Sequence, residues 1–232
     1  MLTKYKLFLD TGQGESSLVT KIQHILDTHQ SRDAFIKLIR NYFLMGSNGY
    51  NLIMQAYDET LRDFGSKRRD SGDAFFGHPE AVAIILIVYM GVRDPNLVAA
   101  AILHDNVEDL SHLGWTHDRV LRTYNPTIAN IIWWMTKAKV IEYDGDKVRR
   151  DAAYHERLLF APIVVIIIKL IDRLHNTFTL DDCPLEKQTR KLAETRTVYL
   201  PLAQQYNILY RELLEITIIQ EIKLHNKLFS SP

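Results

Sequence analysis

The segment Ala99-Ala-Ala-Ile-Leu-His-Asp-Asn-Val-Glu-Asp-Leu110 constrains this chain most. Five apolar residues run straight into His104-Asp105, and Glu108-Asp109 follow four residues later. Such a run predicts a buried helix whose polar end opens into a cavity. Residues i and i+4 share a helix face, so His104 is expected over Glu108 and Asp105 over Asp109. One imidazole and three carboxyl groups then meet beside a core. Ionised carboxylates in such a place are costly unless they are paired or hold a metal. The arrangement suits one hard or borderline cation, with carboxylates left over for proton transfer.

The second informative segment runs from Ala161 to Leu180. Its β-branched residues, Ile163 to Ile168, could form a buried strand, yet the chain offers no second strand to pair with it. The apolar pattern continues through Leu170, Leu174 and Leu180, which predicts a central helix, apolar on all sides. Asp172, Asn176 and Thr179 fall at i, i+4 and i+7 and form one polar stripe on it. An aspartate in a core is uncommon without a function. His175 lies one residue off the stripe and is assigned to packing.

Between residues 67 and 79 a loop carries Lys67-Arg68-Arg69 next to a Ser71-Gly72 turn. Backbone N–H groups of such a turn can face a phosphate. His78 follows, and Pro79 suits the first turn of a helix. Further helices are expected over 16–28, from Ser31 to near Leu44, and over 50–64, 79–91, 117–124, 126–138 and 147–160. Another follows Asp94-Pro95, and a long one covers 185–206 with Pro201 as a kink or break. A closing helix runs from Asn207 to about Lys227. Trp133, Trp134, Tyr154 and His155 are assigned to core packing. Residues 1–15 read as a loose arm. The expected architecture is all-α: an N-terminal helical extension over 1–50, without a chemical motif, and one helical bundle over 51–232.

A formal net charge of +0 gives no broad field to draw the chain to nucleic acid. The single Cys183 rules out an internal disulfide and a cysteine-rich zinc site, so a reducing cytoplasm is the expected home. The N-terminus lacks the h-region of a signal peptide. Ile163–Ile168 is too short to span a bilayer, so no membrane is expected. No feature fixes an oligomeric state.

His78, His104-Asp105 and Asp172 stand in the H…HD…D order of the HD phosphohydrolase superfamily. The resemblance narrows with Arg69-Asp-Ser-Gly, His78-Pro79, His104-Asp-Asn-Val-Glu-Asp109, Met135-Thr-Lys137, Ile168-Lys-Leu-Ile-Asp-Arg-Leu-His-Asn176 and Tyr199-Leu-Pro-Leu-Ala203. In this order, over roughly residues 55–210, they are similar to the hydrolase domain of RelA/SpoT homologues. The resemblance implies a single HD-type helical bundle and, since 232 residues leave no room for a synthetase, a stand-alone small alarmone hydrolase. It implies manganese-dependent removal of the 3′-pyrophosphate from ppGpp and pppGpp. It implies His78, His104, Asp105 and Asp172 as metal ligands, and Glu108 and Asp109 as catalytic carboxylates. It places Arg69, Ser71, Lys137, Asn176 and Thr179 near the nucleotide.

Two His and two Asp make a mixed nitrogen–oxygen set that suits manganese or a similar ion. Two positions depart from the pattern. Asp70 stands where a basic residue is frequent, and Phe178 where Arg is frequent. Both bear on the substrate. They keep open another phosphorylated nucleotide, such as the 2′-phosphate of NADPH. A non-catalytic nucleotide-binding module is the third reading, which the intact Glu108-Asp109 pair argues against.

Overall fold

A computed structural model describes residues 17–229, and the arm expected over residues 1–15 lies outside them. Among the described residues the regular secondary structure is helical apart from one isolated bridge, Arg68–Ala74. The helices are α1 (Leu18–His29), α2 (Arg32–Tyr42), α3 (Asn48–Phe64), α4 (Gly77–Ile84), α5 (Pro95–Leu103), α6 (Asn106–Asp109), α7 (His117–Thr123), α8 (Pro126–Met135), α9 (Lys147–Leu158), α10 (Ile163–Phe178), α11 (Leu185–Glu194), α12 (Leu200–Tyr206) and α13 (Tyr210–Phe229). No helix among the described residues is long and apolar enough to cross a membrane.

Helix starts follow side-chain caps that can be read in the sequence. Ser17, Ser31 and Ser47 accept from the amides of Thr20, Ala34 and Tyr50, and Asp94 accepts from Asn96 ahead of Pro95. Each such cap stabilises its helix by about 1 kcal/mol. Pro201 is accommodated differently. Its ring would clash with the carbonyl of residue 197 in a regular helix. The turn Thr195–Tyr199 widens into a π-helix just before it, so α11 runs into α12 without a break.

Helix α5 forms the centre. It is buried from Leu97 to Leu103 and packs on α3, α4 and α8. Helix α10 lies against α4, α8 and α13. It is less uniformly covered than its composition predicts: Ile163 is half exposed and burial sets in from Val165. One apolar core reaches from Ile22 in α1 and Phe35 in α2 to Ile216 in α13, so the helices before residue 50 share it. Trp133 is not a core residue. It is 46% exposed, packed edge-on against Trp134 and covered by the Arg157 guanidinium. Tyr154 is buried as expected.

Candidate functional site

The apolar run of α5 stops at Leu103, and His104 and Asp105 form the turn into α6. The helix expected from Asp94-Pro95 through the His104 cluster is therefore interrupted at this turn, and the expected stacking of His104 over Glu108 is corrected. The cause is local. His104 Nδ1 donates to the carbonyl of Ala101 at 2.8 Å, so its ring folds back over α5. The i, i+4 contact survives only between Asp105 and Asp109, where the backbone bond Asp109 N to Asp105 O measures 2.8 Å. Asn106, fully buried, donates to Thr60 Oγ1 at 3.0 Å and pins the turn to α3.

Helix α4 brings His78 and α10 brings Asp172 to this turn. His78 Nε2 lies 3.0 Å from Asp172 Oδ1 and 3.7 Å from Asp105 Oδ2. His104 Nε2 lies 3.3 Å from Asp105 Oδ1 and 3.7 Å from Asp172 Oδ1. Potential ligating atoms of His78, His104 and Asp172 all fall within 4.8 Å of one another, with Asp105 beside them. Asp172 is held on both oxygens: Oδ2 accepts from Lys169 Nζ at 2.8 Å, and Oδ1 from Asn176 Nδ2 at 2.5 Å.

The donor set fits a cation. A carbonyl only accepts, so the proton of a neutral His104 sits on Nδ1 and its Nε2 lone pair faces the site. That buried Nε2 makes no aligned hydrogen bond, although two carboxylates stand close to it. A lone pair aimed at two carboxylates is repulsive unless a positive charge stands between them. In the absence of a metal that charge is a proton. Burial alone would depress the His104 pKa, yet Asp105 and Asp172 outweigh it and push it up to about 10. Burial would likewise raise Asp105, but His104 holds it at about 2. His78 moves the other way, lowered chiefly by burial.

A cavity of about 380 Å³ opens beside this cluster. His78 and Asp105 line it together with Arg69, Ser71, Asn176 and Thr179, so the stripe of α10 meets the basic loop. That loop is a tight turn closed by Arg69 N to Asp73 O and Gly72 N to Arg69 O, both 2.9 Å, with Gly72 at φ +88°. Arg69 Nη2 donates to Asn176 Oδ1 at 2.7 Å, while Nη1 is buried with no hydrogen-bond partner. Ser71 Oγ bonds Asp73 at 2.9 Å. Asp109 lines the cavity too, 3.3 Å from Lys67 Nζ, and burial followed by Asp105 raises its pKa. A smaller recess of about 150 Å³ shares Arg69 and Asn176 and adds Arg173 and Lys191.

Four expected site residues fall outside the cavity lining: His104 and Asp172, which belong to the cluster beside it, and Glu108 and Lys137. Glu108 is exposed and takes a long hydrogen bond, 3.4 Å, from the Lys137 amide. Lys137 Nζ is paired with Asp151 at 2.9 Å. Asp70 forms an ion pair with Lys187 at 2.6 Å, and both line the cavity. Phe178 packs against the core.

His175 is not simple packing. Its Nδ1 faces His78 Nδ1 at 2.9 Å, and burial first, then His78, lowers its pKa well below the usual histidine range. Lys169, i−3 to Asp172, and Lys187 were likewise not singled out in the sequence. A lysine inside an isoleucine run was the available signal for the first. For Lys187, whose partner lies 117 residues away, no local signal exists.

The HD domain family model matches residues 55–209. GTP pyrophosphokinase rsh of Brucella ovis is 33% identical over 155 residues, 66% of this chain and 20% of that protein. A probable guanosine-3′,5′-bis(diphosphate) 3′-pyrophosphohydrolase of Synechocystis sp. is 32% identical over 160 residues, 68% of this chain and 20% of that protein. The chain thus spans about a fifth of the length of the curated relatives it matches. A solved structure, described as a metazoan orthologue of SpoT that hydrolyses ppGpp, shares the fold. Its TM-score is 0.63 at 22% identity, with 71% of this chain and 93% of that one covered.

Proposed function

The chain belongs to the HD-domain family, and on that premise we propose that it hydrolyses ppGpp and pppGpp at the 3′-pyrophosphate, releasing pyrophosphate with GDP or GTP. One observation carries the reading: two histidines and two aspartates from three separate elements converge beside a cavity lined by Lys67, Arg69 and Lys187. In this reading residues 51–232 form the hydrolase unit and residues 1–50 an extension, whose helices α1 and α2 share its core.

His78, His104, Asp105 and Asp172 would hold a divalent cation, manganese being the ion that suits the set. Such an ion supplies Lewis acidity toward a phosphoryl oxygen and toward water. Everything else falls to side chains. Water attacks the phosphorus next to the ribose 3′-oxygen, and the bond from that phosphorus to the 3′-oxygen breaks. Glu108, solvent-facing and loosely tied to the Lys137 amide, accepts the proton of the attacking water. Asp109, with its pKa raised, is the group suited to return a proton to the leaving 3′-oxygen. Transfers of this kind typically contribute about 10²–10⁴-fold. Arg69 offers its unpartnered Nη1 to phosphate oxygens, a planar donor suited to that geometry. Ser71, Asn176 and Thr179 line the nucleotide cavity, and Lys137 contacts phosphate once released from Asp151.

The test is a metal-dependent assay with ppGpp, pppGpp and NADPH. Pyrophosphate and GDP from ppGpp, lost in Glu108→Ala, are expected; no product from metal-loaded protein refutes the reading. The Asp70–Lys187 pair, which offsets one cation of the cavity, favours NADPH 2′-phosphate as a second substrate, and phosphate release in the same panel decides it. A reducing cytoplasm is the proposed location.

A further inference from the structure

His78 and His104 both turn Nε2 toward the carboxylates, but their Nδ1 atoms are secured in different ways. His104 Nδ1 has a backbone carbonyl, Ala101 O, at 2.8 Å. A carbonyl accepts only, so the main chain itself fixes the tautomer. His78 Nδ1 meets another ring nitrogen, Nδ1 of His175, at 2.9 Å. Two neutral imidazoles facing each other at this distance share one proton. Either ring can donate it, and the choice decides what His78 offers on its other side.

If His175 donates, the His78 proton sits on Nε2 and points at Asp172 Oδ1, 3.0 Å away. The lone pair needed by a cation is then on the wrong nitrogen. If His175 accepts, the proton sits on His78 Nδ1 and Nε2 is free. His175 lies one turn beyond Asp172 on α10 with its Nδ1 against that of His78, and a cation that takes the Nε2 lone pair of His78 leaves it the second role. His78 and His175 are 3% and 5% exposed, so water has little access to replace the acceptor.

We infer that His175 is a positioning residue: by accepting the Nδ1 proton of His78 it holds that ring in the tautomer whose Nε2 lone pair faces Asp172, Asp105 and a bound divalent cation. The site then has two histidine donors of the same tautomer, one set by the backbone and one by a side chain. Hydrogen-bonding groups behind a ligand histidine commonly change metal affinity by about 10–100-fold. The inference rests on the metal-centre part of the proposed function and needs no nucleotide.

The experiment titrates Mn2+ alone, by calorimetry, into the full chain and into His175→Leu and His175→Asn, each checked for folding by circular dichroism. His175→Leu is expected to bind about 10- to 100-fold more weakly. His175→Asn places an oxygen acceptor near the position of Nδ1 and is expected to stay within about threefold of the parent. A merely structural role would not separate the two variants in this way. Should His175→Leu fail to fold, the Zn2+-loaded parent serves: its histidine 15N spectra are expected to show His78 protonated on Nδ1. Unchanged Mn2+ affinity in His175→Leu, equal loss in His175→Asn, or a His78 proton on Nε2 with Zn2+ bound each overturns the inference. Failure of the parent to bind Mn2+ removes the metal centre along with it. Normal binding without ppGpp turnover strikes only the substrate reading.

Discussion

Lys169→Met tests whether a buried lysine holds the central aspartate. Lys169 Nζ lies 2.8 Å from Asp172 Oδ2, and the two side chains are 12% and 7% exposed. Methionine keeps the length and the apolar contact of the stem but removes the ammonium. Breaking a buried pair by deleting one partner costs about 3–5 kcal/mol, mostly because the remaining charge is left uncompensated. Asp172 keeps Asn176 at 2.5 Å and His78 at 3.0 Å on its other oxygen, which points to the lower end, about 3 kcal/mol. For a chain of this size that corresponds to a fall in Tm of about 6–12 °C. The assay is thermal unfolding in EDTA. A double variant sharpens it. Adding Asp172→Asn supplies a neutral amide that no longer needs the ammonium, so Lys169→Met with Asp172→Asn recovers most of the loss while metal binding stays abolished. A shift below about 2 °C for Lys169→Met, or a double variant less stable than the single one, refutes the argument.

Three other outcomes follow from the same geometry. Glu194 accepts from Lys191 at 2.8 Å and pairs with His155 and Arg173 at 3.1 Å each; burial would raise its pKa, but these partners hold it well below the usual range. A depressed carboxylate stabilises above its unfolded pKa, about 4.3, and loses that contribution as pH falls further. Glu194→Gln is therefore expected to lower stability at pH 7 by about 3 kcal/mol and to flatten acid unfolding below pH 4, read by urea denaturation across pH. Arg69→Ala is expected to lower kcat/KM for ppGpp by about 10–100-fold, and Arg69→Lys to recover little, since a point charge does not replace the planar fork. EDTA is expected to abolish turnover, and Mn2+ restored to 100 times its Kd to return about 2.7 kcal/mol of stability, seen as a rise in Tm.

The parts of the site that were legible in the sequence are those whose signal is local. His78 precedes a proline that suits a helix start, and Asp172 and Asn176 interrupt an apolar helix at its own period. The caps Ser17, Ser31 and Asp94 mark helix starts to within one or two residues, whereas Ser47 caps a helix that the sequence pattern starts only at residue 50. The expectation of an unbroken helix through Glu108 failed because propensity says nothing of a side chain competing for a main-chain carbonyl, as His104 does for Ala101 O. Period alone placed His175 off the functional stripe. The residue that gives it a role, His78, is 97 positions away and comes into contact only when α4 packs on α10. Trp133 was read as core from its neighbours in α8, whereas the exposed face of that helix carries it and Arg157 supplies the cover.

The neutral overall charge of the chain and an anionic substrate are reconciled at the site itself. Asp105 and Asp172 bring two negative charges, Lys169 one positive charge, and the metal-free His104 a second, so the cluster without a cation is neutral and offers nothing to attract phosphate. A divalent cation that displaces the His104 proton takes up the Nε2 lone pair and both carboxylates. With the cation in place the same cluster is net positive, and Arg69 Nη1 stands unpartnered at the adjoining cavity. Metal and nucleotide are therefore expected to bind in that order and to strengthen each other. The coupling is reciprocal. A non-hydrolysable ppGpp analogue should tighten Mn2+ binding by the same factor by which Mn2+ tightens the analogue. A nucleotide analogue bound as tightly in EDTA as in Mn2+ contradicts this account of how a chain with no net charge holds a polyanion.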